Sequence, residues 1–355
     1  MIGERSTAGD RDVADVHVPA ITVESRRIGR APGGYGCRVA DDRRPTLLVL
    51  RALQIGDLLV AVPPLRALRR AHPEHQLVLA STAALAPLVD RIGGVDTLLP
   101  TPDPTAVPWT GPAPDVAVNL HGTGRRSHHA LDALAPTRRI GFRCPQARPG
   151  WEGPDWDAVA ATYPHERARW CALLEHVGIP ADPGDLRLPH RAASGGPVLV
   201  HPGAAFGSKR WPADRFAAVA AALDGPNAPV QITGSAAERD LAEAVARAAG
   251  LPHDRVLAGR TDLGALCDLV AGAALVVSGD TGIAHVASAY GTPSVVLFGP
   301  VDPAQWGPPA DGPHVALARP ALRRGARFAD DPDPALLAIG VEEVLSAAAT
   351  VRRAP

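Results

Sequence analysis

The sequence predicts an α/β protein of two Rossmann-like, doubly wound domains that face each other across a cleft. Three observations predict it. Short apolar, β-branched runs alternate with helical stretches, the pattern of parallel βαβ units. The alternation occurs twice, on either side of a Gly- and Ser-containing connector at 191–196. A length of 355 residues suits two ordinary domains better than one.

Residues 1–44 are polar and aperiodic, and read as a disordered or loosely attached extension. The first domain is expected over 45–190. It opens on the buried-type strand Thr46–Leu50, followed by strands at Leu77–Ala80, Leu98–Pro100 and Val116–Leu120. A helix through Leu65, Leu68 and Ala71 follows the first strand, with Pro63-Pro64 kinking or restarting it. The Trp- and Pro-rich middle, about 143–195, holds one helix candidate, Pro164–Val177. A second domain is expected over 197–333. Its strands are Val198–His201, Val230–Thr233, Leu275–Ser278 and Ser294–Phe298, and its helices Ala213–Leu223, Ala236–Ala249 and Leu263–Ala271. A C-terminal segment, 334–355, carries a final helix at Pro334–Ala349.

Composition narrows the function. A net charge of -1 implies no global pull toward nucleic acid or a membrane surface. The four cysteines stand far apart with no CxxC, as in a reducing compartment. No apolar run reaches bilayer length, and the N-terminus lacks the order of a signal peptide. The expectation is a cytoplasmic protein without a transmembrane segment, with the inner membrane face as a peripheral alternative. Lys209 is the sole lysine in an arginine-rich chain.

The stretch LVVSGDTGIAHVASAY, Leu275–Tyr290, reads as a strand, a tight turn and a helix N-terminus. Unpaired N–H groups and the helix dipole make such an end a site for phosphate, and ligands of open α/β sheets sit beyond the strand C-termini. Asp280, Thr281 and His285 are thereby candidates to face a cleft, against the alternatives of an N-cap and a half-buried spacer. Asp57 follows the first strand behind a glycine, as a general base on a hydroxyl or as a cap. In the loop after Val198–His201, Gly203 lets backbone approach a phosphate and Lys209 can neutralise it. Ser235 and Glu238 suit a capping box; Glu238 equally suits a ribose hydroxyl. Asp155-Trp156-Asp157 and the broken glycine pattern Gly122-Thr123-Gly124-Arg125-Arg126-Ser127 are weak signals.

These segments, in order from Thr46 to Pro308, resemble glycosyltransferase family 9, the heptosyltransferases. LLVLRALQIGDLLVAVPPLRALRRAHP is similar to the family's first strand, acceptor-side loop and helix, HPGAAFGSKRWPADRFAAVA to its phosphate loop, and GDTGIAHVASAYGTPSVVLFGPVDPAQWGP to its most recognisable block. The resemblance implies a GT-B fold and an inverting transfer of a sugar, usually heptose from ADP-heptose, to an acceptor hydroxyl of a glycan, glycolipid or secondary metabolite. It implies Asp57 as catalytic base. Gly203, Ser208, Lys209, Glu238, Asp280, Thr281, Gly282 and His285 are implied on the donor, and Arg51, His121, Arg125 and Arg126 on the acceptor side. No metal ligand set and no tightly bound cofactor are expected, with magnesium compatible but not required. Gly203 and Ala204 stand where some members carry hydroxyl residues, so backbone groups have to serve there. Two other readings stay open, a catalytically silent nucleotide-sugar-binding protein and a nucleotide-sugar epimerase on the same fold.

Overall fold

The computed structural model describes residues 44–189 and 195–353. The expected extension at 1–44 lies outside them but for residue 44, and the connector at 191–196 but for residues 195 and 196.

The first half runs β1 (Thr46–Leu50), α1 (Ile55–Val60), α2 (Val62–Ala71), β2 (Gln76–Ser81), α3 (Ala86–Ile92), β3 (Thr97–Pro100), β4 (Val116–Asn119), α4 (Arg125–Asp132), β5 (Arg138–Ile140), β6 (Trp151–Glu152), α5 (Trp156–Thr162) and α6 (Glu166–His176). Its six strands are parallel, in the order β3-β2-β1-β4-β5-β6. The second half runs β7 (Val198–His201), α7 (Ala213–Leu223), β8 (Val230–Ile232), α8 (Arg239–Ala248), α9 (Leu263–Ala271), β9 (Leu275–Gly279), α10 (Gly282–Tyr290), β10 (Ser294–Leu297), α11 (Pro303–Trp306), β11 (His314–Leu317), α12 (Pro334–Leu337) and α13 (Val341–Arg353). Its sheet, also parallel, is ordered β11-β10-β9-β7-β8. This is the expected α/β architecture of two doubly wound, parallel-sheet units, and among the described residues neither sheet closes into a barrel.

The central strands β1, β4, β9 and β10 are buried along their whole length. Helices cover both faces of a parallel sheet, so such strands read as continuous apolar runs. In β1, Leu47, Leu48, Val49 and Leu50 are all 0% exposed. Four such side chains contribute roughly 6–12 kcal/mol, on the scale of a whole domain's stability margin. Pro63 and Pro64 restart the helix: α1 ends before Ala61, and α2 begins where a missing N–H costs nothing.

Three strands were not anticipated. β5, β6 and β11 lie at or next to sheet edges and carry Arg138, Arg139, Glu152 and His314, so no apolar run marks them. Two helices differ from expectation. The segment starting at Ala236 opens with a 3-10 turn, Ala236–Glu238, before α8. The final helix is two, α12 and α13, broken where Ile339 turns into the core ahead of Gly340. In the Trp-rich middle, Phe142, Trp156 and Trp170 pack edge-on or tilted against one another, with centroids 4.8 to 6.0 Å apart.

The halves meet through α1 and α10. One apolar cluster runs from Leu47 and Leu77 through Leu58 and Leu59 into Ile283, Val286 and Val276. Close approach is reciprocal: a methyl on Gly56 would lie 2.6 Å from the His285 ring, and one on Gly282 would lie 3.2 Å from Ile55. Among the described residues, no helix is long and apolar enough to cross a membrane.

Candidate active site

Strand order reverses between β1 and β4 in the first sheet and between β7 and β9 in the second. Crevices open beyond strand C-termini at such points. Asp57 follows β1, Lys209 follows β7 and Asp280 follows β9, and the α1–α10 contact brings these ends together.

Asp57 sits in the first turn of α1. Its Oδ2 accepts from the Gln54 N–H at 3.2 Å, so the capping alternative is realised in part. Beneath it lies Arg51, whose side chain is 2% exposed against 26% for Asp57. The Arg51 Nε donates to the Asp57 carbonyl at 2.9 Å, Nη1 donates to the Leu120 carbonyl, and Nη2 stands 3.6 Å from Asp57 Oδ1. The guanidinium also lies over the Trp170 ring, 4.9 Å from its centroid. Arg51, expected on the acceptor side, is therefore a buried support for Asp57, with its donors spent inside the protein. The aromatic middle has a place here too, since it floors this arginine.

On the opposite wall, Lys209 Nζ and Asp280 Oδ2 are 2.7 Å apart, with side chains 23% and 6% exposed. A 3-10 turn, Gly207–Lys209, presents the lysine. Gly279 permits the two loops to pass, since a methyl there would lie 3.1 Å from the Lys209 carbonyl. Thr281 occupies the N-cap of α10 without a side-chain cap bond, and its Oγ1 is buried with no partner among the described residues. An unpartnered hydroxyl at a helix N-terminus, beside a lysine, suits an anionic ligand. His285 lies one turn on, packed edge-on against Trp306 at 5.8 Å. Burial lowers its pKa, opposed by the charges of Asp280 and Asp57.

Glu238 serves in a cap and also borders the loop. Its Oε2 accepts from the Ser235 N–H at 2.7 Å and Oγ–H at 2.8 Å, while a methyl on Gly203 would lie 2.1 Å from Oε1. Only glycine lets this carboxylate rest against the loop. Ser208 departs from expectation: it is 1% exposed, and its hydroxyl donates to the Arg327 carbonyl at 2.9 Å. It fastens segment 327–333 over the loop, with Ser208 N–H donating to the Ala329 carbonyl and the Asp333 N–H to the Ser208 carbonyl.

On the first-half wall, His121 is 9% exposed and its pKa is pushed down to about 4 by burial and by Arg51. Arg125 and Arg126 open α4 on the surface. Asp155 caps α5 by accepting from the Ala158 N–H at 3.1 Å, which accounts for the acidic pair around Trp156. Among the described residues, no three His, Cys, Asp or Glu side chains converge as a metal site.

Two polar side chains bordering the site, Glu166 and His165, were missed from sequence. Glu166, 13% exposed on its side chain, pairs with Arg169 at 2.9 Å. Burial raises its pKa, against the charges of Arg51 and Arg169. His165 accepts from the Arg167 N–H at Nδ1 and donates from Nε2 to the Gly307 carbonyl at 3.0 Å, joining α6 to the loop after Trp306. The only signal for them was an acidic and basic start to a helix already foreseen at Pro164–Val177.

Residues 132–321 match the family described as Glycosyltransferase family 9 (heptosyltransferase). The chain is 38% identical over 114 residues to lipooligosaccharide heptosyltransferase 2 of Haemophilus influenzae, covering 30% of this chain and 32% of that protein. It is 25% identical over 294 residues to lipopolysaccharide heptosyltransferase 2 of Escherichia coli, covering 72% and 83%. Among solved structures, E. coli ADP-heptose LPS heptosyltransferase II superposes with a TM-score of 0.69 at 20% identity, over 86% of this chain and 98% of that one. A family 9 glycosyltransferase from Veillonella parvula superposes at 0.70, also at 20% identity, over 87% and 97%.

Proposed function

Because the chain belongs to glycosyltransferase family 9, we propose that it transfers heptose from ADP-heptose to an acceptor hydroxyl with inversion, using Asp57 as general base. The observation that carries this reading is the meeting of the two switch points, with Asp57 on one wall and the Lys209–Asp280 pair at the start of α10 on the other. The acceptor hydroxyl attacks the anomeric carbon as Asp57 takes its proton, and the bond to the diphosphate breaks. Lys209, the α10 N-terminus and Thr281 hold the negative charge left on the departing diphosphate. Asp280 aligns Lys209 and faces the sugar; Glu238, resting on Gly203, takes the ribose side. Arg51 positions Asp57 from below. On this reading 45–190 is the acceptor-side domain and 197–333 the donor domain, with 334–355 as a C-terminal helix and tail.

The named relatives act on lipopolysaccharide or lipooligosaccharide, which supports a glycan or glycolipid acceptor. Arg125 and Arg126 are positioned on the first-half surface to meet an anionic one. Calorimetric titration with ADP, UDP, GDP and their sugar conjugates tests the donor without an acceptor. Selective binding of ADP and ADP-heptose is expected; preference for UDP or GDP overturns the heptose, and no binding favours a silent scaffold.

A further inference from the structure

Asp57 and Arg51 belong to a larger buried cluster on the first-half wall. Glu166, the first residue of α6, has a side chain only 13% exposed, and its Oε1 accepts from Arg169 Nη1 at 2.9 Å. Arg169, 10% exposed, spends its other donors on the Tyr163 carbonyl at 2.8 Å and the Pro164 carbonyl at 2.6 Å. It lies over Trp156 at 5.1 Å, as Arg51 lies over Trp170 at 4.9 Å, and those two rings are 6.0 Å apart. Two buried arginines therefore rest on one aromatic floor, with two carboxylates, Asp57 and Glu166, set against them.

The four charges act on one another. Burial works against the Arg51 cation, and Asp57 and then Glu166 oppose that effect. Burial raises the pKa of Glu166; Arg51, Arg169 and, from segment 327–333, Arg327 oppose the rise, and Asp57 adds to it. Yet Arg51 Nη2 stops 3.6 Å from Asp57 Oδ1, short of the closed pair that Lys209 makes with Asp280. A guanidinium drawn by one carboxylate alone is expected to close a short contact with it. A second carboxylate on the same cation weakens that pull. A carboxylate caught in a closed pair is the poorer base.

We propose that Glu166 is a positioning residue for the transfer: it shares the Arg51 guanidinium with Asp57 and so keeps the Asp57 carboxylate open to the acceptor hydroxyl. This role is exerted through Arg51 and rests on the general-base reading of Asp57.

Glu166→Gln, which keeps the shape of the side chain and removes its charge, gives the test. In a crystal structure of this variant at neutral pH, Arg51 Nη2 is expected to close on Asp57 Oδ1 to about 3 Å. That readout needs no acceptor. In transfer from ADP-heptose to heptose-free lipopolysaccharide core, kcat should fall about tenfold or more with the donor KM little changed. The fall of kcat with acid should begin at lower pH than in the unmodified chain, because Glu166 no longer takes up a proton. Glu166→Asp, which restores the charge, should recover part of the rate. A purely structural role would lower the yield of folded protein and leave the pH profile where it was. An unmoved gap, set by the Leu120 and Asp57 carbonyls alone, overturns the proposal, as does an unchanged kcat or pH profile. If Glu166→Gln does not fold, Glu166→Ser, which also removes the charge, is read in its place. Near-normal transfer by Asp57→Ala removes the general-base reading and this role with it. Loss of transfer in Asp57→Ala beside an unmoved gap in Glu166→Gln removes this role alone.

Discussion

Asp57 and Asp280 hold comparable places, each just beyond a central strand bordering the switch in strand order, yet their surroundings differ. Asp280 is 6% exposed and locked to Lys209 at 2.7 Å. Asp57 is 26% exposed, and its nearest cation stands back at 3.6 Å while gripping its main chain instead. A carboxylate sealed against a lysine is committed to orienting that cation. One whose backbone is fixed and whose carboxylate is held only by a 3.2 Å cap bond to Oδ2 keeps a partly exposed oxygen that can accept a proton from an incoming hydroxyl. On the proposed reading, the same strand–turn–helix unit serves as the donor-holding wall in one sheet and as the reactive wall in the other. What separates them is where the basic side chain is anchored.

The comparison breaks first at Asp57. Asp57→Ala is expected to lower the transfer rate by roughly 100- to 10,000-fold, the usual scale of general-base loss; a near-normal kcat removes Asp57 as base. Next comes Arg51→Lys, which keeps the charge and loses the guanidinium fork. Displacing Asp57 should cost roughly 10- to 100-fold in kcat with the donor KM little changed. A rise in KM alone would return Arg51 to substrate binding. On the opposite wall, Lys209→Ala should weaken ADP binding by about 1.5–3 kcal/mol, the worth of a hydrogen bond to a charged group, and unchanged affinity ends its phosphate role. Chelator is expected to cost little activity, so full loss restored by magnesium would reopen the question of a metal.

The smallest effect tests the seam. Burial lowers the pKa of His165 to about 4 from an ordinary 6.5, with Arg167 adding to the effect. The unfolded chain therefore binds this proton at a higher pH than the fold does. The ring's contribution to stability is complete above about 6.5 and is lost progressively as pH falls toward about 4. Denaturant midpoints measured across that window should fall with acid less steeply in His165→Gln. An identical slope in the variant assigns the acid sensitivity elsewhere, with His121 and His314, also near 4, the next to examine.

Legibility from sequence followed local signal. β1, β7, α7 and α9 have the bounds their apolar runs foretold, because a strand buried on both faces or a helix between clear breakers advertises itself. β5, β6 and β11 did not, since a few residues near an edge need no apolar pattern. In the candidate site, Lys209 stands out in the sequence as the one lysine and Asp280 by its turn, and the structure pairs them. Arg51 looked like a cleft residue because nothing local says that Trp170, far along the chain, will lie beneath it. Ser208 looked like a phosphate ligand because its partner, the Arg327 carbonyl, is equally remote. A polar side chain next to a motif can face the ligand or hold the loop, and only tertiary contacts choose.

The measurement that bears most directly on this division is titration of ADP-heptose into Asp57→Ala alongside a transfer assay on the same preparation. Affinity within about threefold of the unmodified chain is expected, less than the tenfold that 1.4 kcal/mol represents, together with loss of transfer. Donor affinity that falls in step with turnover would contradict it, because Asp57 would then belong to the wall that holds the donor.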